Sequence, residues 1–136
     1  MSAPKVFFDK ELDLGVYAFE GQVSYSDIQN ELTKYYQSAP EKYTKYTLWD
    51  FSNADVSKVT NSELRQLGDY VGEAGKSRKG CFDAIVVPSL LGYGLARVFL
   101  AYSEVFQKDP DARKNLVFKT REEAYGWMRR NELKNS

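Results

Sequence analysis

Histidine is absent from the 136-residue chain, and that absence excludes more chemistry than any motif adds. No Ser-His-Asp or Cys-His arrangement can form. No imidazole can ligate a metal. Acid–base work near neutral pH falls to a tuned Asp, Glu, Lys, Tyr or Cys. Cysteine occurs once, at Cys81, which excludes an internal disulfide framework and a thiolate zinc site. Cys81 reads as a small core hydrophobe rather than a nucleophile. The expectations are a reducing, cytoplasmic setting, no metal, no cofactor and no enzymatic activity.

An excess of either charge is missing as well: 19 Lys and Arg balance 19 Asp and Glu. Nucleic acid is therefore not an expected partner, because holding its phosphates calls for basic excess. The basic residues lean mildly toward the second half, as in Lys76-Ser77-Arg78-Lys79 and Arg129-Arg130, which reads as solvated surface. No run approaches the roughly 20 apolar residues that span a bilayer, and Met1-Ser2-Ala3-Pro4-Lys5 carries no secretory core. No transmembrane segment is expected.

What is present is aromatic and ordinary-sized. Ten Tyr and eight Phe stand in a chain that is 43% hydrophobic and 28% charged, composition suited to a globular core. The length fits one domain over 1–136, and no repeat, linker or low-complexity tract divides it.

Lys5-Val6-Phe7-Phe8-Asp9 reads as a strand, and 14–20 as its hairpin partner, ended by Gly21. Ser26-Asp27-Ile28-Gln29 has the form of a capping box, predicting a helix over 27–37 with Ile28, Leu32, Tyr35 and Tyr36 on one face and Pro40 closing it. Tyr46 to Phe51 is the next strand, followed by a loop through Asn53-Ala54-Asp55. Thr60-Asn61-Ser62-Glu63 caps a second helix with Leu64, Leu67, Tyr70, Val71 and Ala74 inward, and 75–80 is a basic loop. A strand over 81–87 leads past Pro88 into a helix striped by Leu95, Val98, Phe99, Tyr102 and Phe106, which Asp109-Pro110-Asp111 breaks. Leu116-Val117-Phe118 is the last strand. Thr120-Arg121-Glu122-Glu123 opens the last helix, with Ala124, Trp127 and Met128 inward and a frayed tail after Glu132. The order β-β-α-β-α-β-α-β-α predicts an α/β fold: a mostly parallel sheet of β-α units with right-handed crossovers and an antiparallel N-terminal strand.

The stretch 83–106 is the most informative. A buried strand, a Gly92/Gly94 pair and a helix start form the place where α/β sheets hold ligands, and backbone N–H groups point outward there. Gly92 and Gly94 allow close backbone approach. Arg97, in the first turns, is placed to pair with an anionic group, or else with a neighbouring carboxylate or carbonyl. Asp50 ends a strand on the same edge and suits either a ligand-binding role or the fixing of its own loop. Ser62, in a helix's first turn, suits phosphorylation, where free N–H groups and the helix dipole favour the added charge; a plain cap explains the same residues. The Leu95, Phe99, Tyr102 and Phe106 stripe reads as core, as the wall of an apolar pocket, or as the face of a homodimer.

The run 88–99, PSLLGYGLARVF, resembles the G-x-A-R segment of the SpoIIAA-like family, small bacterial proteins of STAS-like fold that are distantly compared with CRAL-TRIO-type lipid carriers. Tyr17-Ala18-Phe19-Glu20-Gly21, Leu48-Trp49-Asp50-Phe51-Ser52 and the 117–127 segment, with its E-E-A-x-x-W helix, are similar to the family's flanking elements, so the likeness covers 6–128. The resemblance implies a regulatory or ligand-binding module. In sigma-factor-regulating relatives an Asp-Ser pair opens the helix after the central strand and its Ser is phosphorylated; Asn61-Ser62 is the matching pair here, with Asn in place of Asp after a longer loop. The expected function is thus a non-enzymatic STAS-like module that binds a small apolar or anionic, amphipathic ligand or a regulatory protein. The alternative is a phosphoregulated protein-binding switch resembling anti-sigma-factor antagonists.

Overall fold

The computed structural model of the chain describes residues 4–38, 43–74, 81–104 and 114–134. Its elements are β1 (Lys5–Asp9), β2 (Leu14–Gln22), α1 (Tyr25–Gln37), β3 (Tyr46–Asp55), α2 (Asn61–Ala74), β4 (Phe82–Val86), α3 (Leu90–Glu104), β5 (Lys114–Phe118) and α4 (Arg121–Lys134). Pro40, the 75–80 loop, Phe106 and the 109–111 break lie outside the described residues.

The hairpin forms because Asp9 folds the chain back: its Oδ1 accepts the N–H groups of Glu11 at 3.0 Å and Leu12 at 3.3 Å, an Asx-type turn. Asp13 completes the turn at φ 53°, a conformation Asp tolerates better than most residues. β1 then pairs antiparallel with β2, while β2–β3, β3–β4 and β4–β5 pair in parallel, giving the sheet order β1-β2-β3-β4-β5. The architecture is α/β with a mostly parallel five-stranded sheet.

Parallel strands laid down in chain order, each reached by a crossover of one hand, place the connecting helices on one face of the sheet. The core divides accordingly. On one face Phe19, Trp49, Phe51, Ile85 and Val87 meet Leu32 and Tyr35 of α1, Leu67 and Val71 of α2 and Ala96 of α3. On the other, Leu14, Val16, Tyr46, Leu48, Ala84 and Val86 meet Ala124 and Met128 of α4. Strand periodicity assigns each residue its side: in β4, and in β3 as far as Asp50, even numbers face α4 and odd numbers the three-helix layer, while Ala54, farther along β3, packs in the three-helix layer.

Several local expectations shift. The α1 cap is Ser24, not Ser26: Asp27 N–H donates to Ser24 Oγ at 3.2 Å and Ser24 N–H to Asp27 Oδ2 at 3.0 Å. Val23 is fully buried and pins the chain there, so the helix begins two residues earlier, at Tyr25. The segment 53–55 is strand rather than loop, because Glu20, Gly21 and Gln22 of β2 pair with Asn53, Ala54 and Asp55. Gly21 does not end β2; it takes φ +71° inside it. α4 continues through Lys134 instead of fraying after Glu132, since Glu132 fastens it to β3, as described below. The Thr60–Glu63 box forms in both directions, at 2.9 and 3.1 Å. At α4 the Glu123 N–H donates to Thr120 Oγ1 at 3.1 Å.

Candidate functional site

The carboxyl edge of the sheet is built around Asp50. Between the pairs Ala18–Asp50 and Glu20–Asn53, β3 advances three residues and β2 only two, so β3 carries a bulge at Phe51–Ser52. A bulge takes a backbone N–H out of the ladder, and Asp50 recovers it: Ser52 N–H donates to Asp50 Oδ1 at 2.9 Å, joined by the Ser52 hydroxyl. Arg121, the first residue of α4, donates Nε to Asp50 Oδ2. Asp50 is 1% exposed, so this charge is buried and compensated. Above it lies a shallow open groove bordered by Ser52, Asn53, Pro88, Lys119, Thr120, Arg121 and Glu122.

The opposite face holds a partly open, apolar site. Side chains from α1, α2 and α3 meet the sheet imperfectly and leave a cavity of about 80 Å³. Its walls come from Ile28 and Leu32 of α1, Leu64, Leu67 and Val71 of α2, and Leu95, Ala96 and Phe99 of α3. Trp49, Phe51, Ile85 and Val87 form its floor. Three polar side chains interrupt this apolar lining: Tyr36, Asp83 and Asn115. Asp83 is 2% exposed and stands beside Asn115 in the β4–β5 register. The Asn115 Nδ2 is buried with no hydrogen-bond partner among the described residues. Nearby, the Tyr35 hydroxyl and Thr47 Oγ1 satisfy one another at 2.5 Å.

A further polar cluster lies at the amino end of β3. Tyr46 donates its hydroxyl to Glu132 Oε2 at 2.6 Å and accepts from Asn131 Nδ2 at 2.9 Å, while Lys45 Nζ binds the same Glu132 oxygen at 2.5 Å. The Lys45 and Tyr46 hydrogen bonds hold the Glu132 carboxyl below its ordinary range. Burial, then the bond to Glu132, pushes the Tyr46 hydroxyl up. The cluster is self-satisfied and fastens α4 to the sheet.

The sequence-predicted residues are thus spread over separate places. Asp50 lies in the α4-facing layer, holding the bulge. Gly92 borders the cavity, where a Cβ would stand 2.2 Å from Val87 Cγ1 and 2.7 Å from Ser89 Oγ; its smallness serves the packing of α3 on the end of β4. Ser89 Oγ accepts the Gly92 N–H at 2.9 Å, so that helix start is already capped. Gly94 is exposed with open space around it. Arg97 is exposed on α3 and borders neither the cavity nor the groove. Ser62 is exposed on the outside of α2, whose inner face lines the cavity.

Asp83 and Asn115 were missed as site residues. Their signal is parity: Asp83 shares the two-residue period of Ile85 and Val87, so it had to enter the same buried face. Among the described residues no group of three or more acidic or cysteine side chains is placed to hold a metal ion, and no helix is long and apolar enough to cross a membrane. No protein-family model, curated protein or solved structure matches the chain.

Proposed function

We propose that this chain is a non-enzymatic, cytoplasmic binding module of the STAS-like, SpoIIAA-like type, and that it holds a small, mainly apolar ligand between the sheet and the α1–α3 layer. The observation that carries the reading is the cavity, apolar on every side except at Tyr36, Asp83 and Asn115. Interiors are normally close-packed, and a space of this kind with a few convergent polar groups is what small-molecule sites look like. Apolar ligand surface gains about 25 cal/mol per Å² on entry. The buried Asn115 amide supplies a donor for one ligand oxygen, so the occupant has an apolar body and a carbonyl or hydroxyl at one end.

Native mass spectrometry of protein isolated from its own host tests this directly, with a retained organic mass as the expected result. Benzyl alcohol is a suitable probe, followed through Trp49 fluorescence in a Trp127→Phe background. Filling the cavity by Ala96→Leu should weaken the probe at least tenfold, about 1.4 kcal/mol. Equal binding in a folded Ala96→Leu protein would reject the site.

Exposure of Ser62 favours a second reading, a phosphoregulated partner-binding switch. Phosphate on Ser62 in host-derived protein, with partner binding altered by Ser62→Asp, is the result that reading requires. Unphosphorylated Ser62 would leave Thr60-Asn61-Ser62-Glu63 as a cap alone.

A further inference from the structure

Among the described residues β1 is an edge strand, and nothing there pairs with its outer side. Edge strands present unpaired N–H and C=O groups and are commonly shielded by charge, proline or a covering element. Here Val6, Phe7 and Phe8 are 46%, 51% and 60% exposed, the three central residues of a five-residue strand. The strand's two charges stand at its ends, Lys5 and Asp9. Read antiparallel against itself, the sequence KVFFD is complementary: Lys5 opposes Asp9, Val6 opposes Phe8, and Phe7 meets Phe7 on the axis. Parallel pairing in register would set Lys5 against Lys5 and Asp9 against Asp9.

We propose that two copies of this chain associate through β1, antiparallel and about a two-fold axis at Phe7, joining their sheets edge to edge. The second copy is the occupant because the edge supplies its own complement, as a self-matching patch must in a two-fold dimer. Affinity comes from main-chain hydrogen bonds and the Phe7–Phe7 and Val6–Phe8 cross-strand pairs. The terminal charges choose direction and register more than strength. The Lys5–Glu20 ion pair, 3.2 Å long between side chains 75% and 51% exposed, lies open to solvent and yields easily to exchange. Asp9 Oδ1 continues to accept the turn amides. The pairing uses up β1 in both copies, so association stops at two.

Sedimentation equilibrium over a concentration series should give twice the 15.6 kDa chain mass, with amide protection of residues 6–8 rising with concentration. Lys5→Asp should lower dimer affinity at least tenfold by opposing two acids, and Phe7→Lys should abolish the dimer; circular dichroism checks the fold of each. Adding Asp9→Asn to Lys5→Asp removes the opposed acids while the Asn Oδ1 still accepts the turn amides, and should recover much of the dimer. A wild-type monomer at every concentration, a larger oligomer, or a dimer indifferent to Phe7→Lys would overturn the proposal.

Discussion

Gly92 and Gly94 look alike in the sequence and differ in the fold. At Gly92 an added Cβ meets the Val87 side chain at 2.2 Å, so Gly92→Ala forces α3 away from β4 and should cost about 1–3 kcal/mol. At Gly94 the same methyl meets nothing within 4 Å, so Gly94→Ala should stabilise the helix by about 0.5–1 kcal/mol. Urea midpoints moving in opposite directions are the expected outcome. Asp50 poses a second single-residue question. Arg121→Ala removes the cation from a carboxylate that is 1% exposed. Because the guanidinium side chain is 49% exposed, solvent screens part of the loss, and about 1–3 kcal/mol is expected. Asp50→Asn in the same background should recover part of it.

At the scale of elements, α4 is fastened at both ends, by Arg121 to the close of β3's regular pairing and by Glu132 to its opening. Glu132 is held below its ordinary range chiefly by its hydrogen bond from Lys45 and then by that from Tyr46. A carboxyl whose folded value is depressed contributes stability at neutral pH that is lost as pH falls through that value. Lys45, raised chiefly by its bond to Glu132, contributes stability that is lost only as pH rises through its own elevated value. Glu132→Gln should therefore flatten the acid limb of the melting temperature against pH, and an unchanged limb would show the contact to be idle. Element order, the Thr60 and Thr120 caps and most of the inward helix faces were legible because each follows from local period and capping chemistry, but Tyr70 of α2 and Val98 of α3, placed on those faces by period, are exposed. The Ser24 cap and the strand character of 53–55 were not: burial of Val23 and pairing with 20–22 decide them, and both are contacts between distant elements. The cavity was legible only as a stripe, Leu95 and Phe99, since a void is defined by what four elements together fail to fill. Asp83 was hidden by its apolar neighbours, although its parity placed it inside.

The described residues are layered unequally, three helices on one face of the sheet and α4 on the other, and the cavity lies on the three-helix side. Unfilled internal volume makes unfolding more compressive. Ala96→Leu, which occupies that space, should reduce the magnitude of the unfolding volume in high-pressure fluorescence; an unaltered volume would place the void elsewhere. The strand order has a consequence for synthesis. Since β1 through β5 are stacked in the order they leave the ribosome, every new strand docks on an edge that already exists, and no strand waits for a later neighbour to separate it from an earlier one. The α4-facing side has no such immediacy. Leu14, Val16, Tyr46, Leu48, Ala84 and Val86 are assembled into a continuous apolar surface whose helical cover, among the described residues, is encoded at Arg121–Lys134. A nascent chain therefore carries a finished but uncovered sheet face until the final helix emerges, and that interval is when it is most exposed to chaperones and to aggregation.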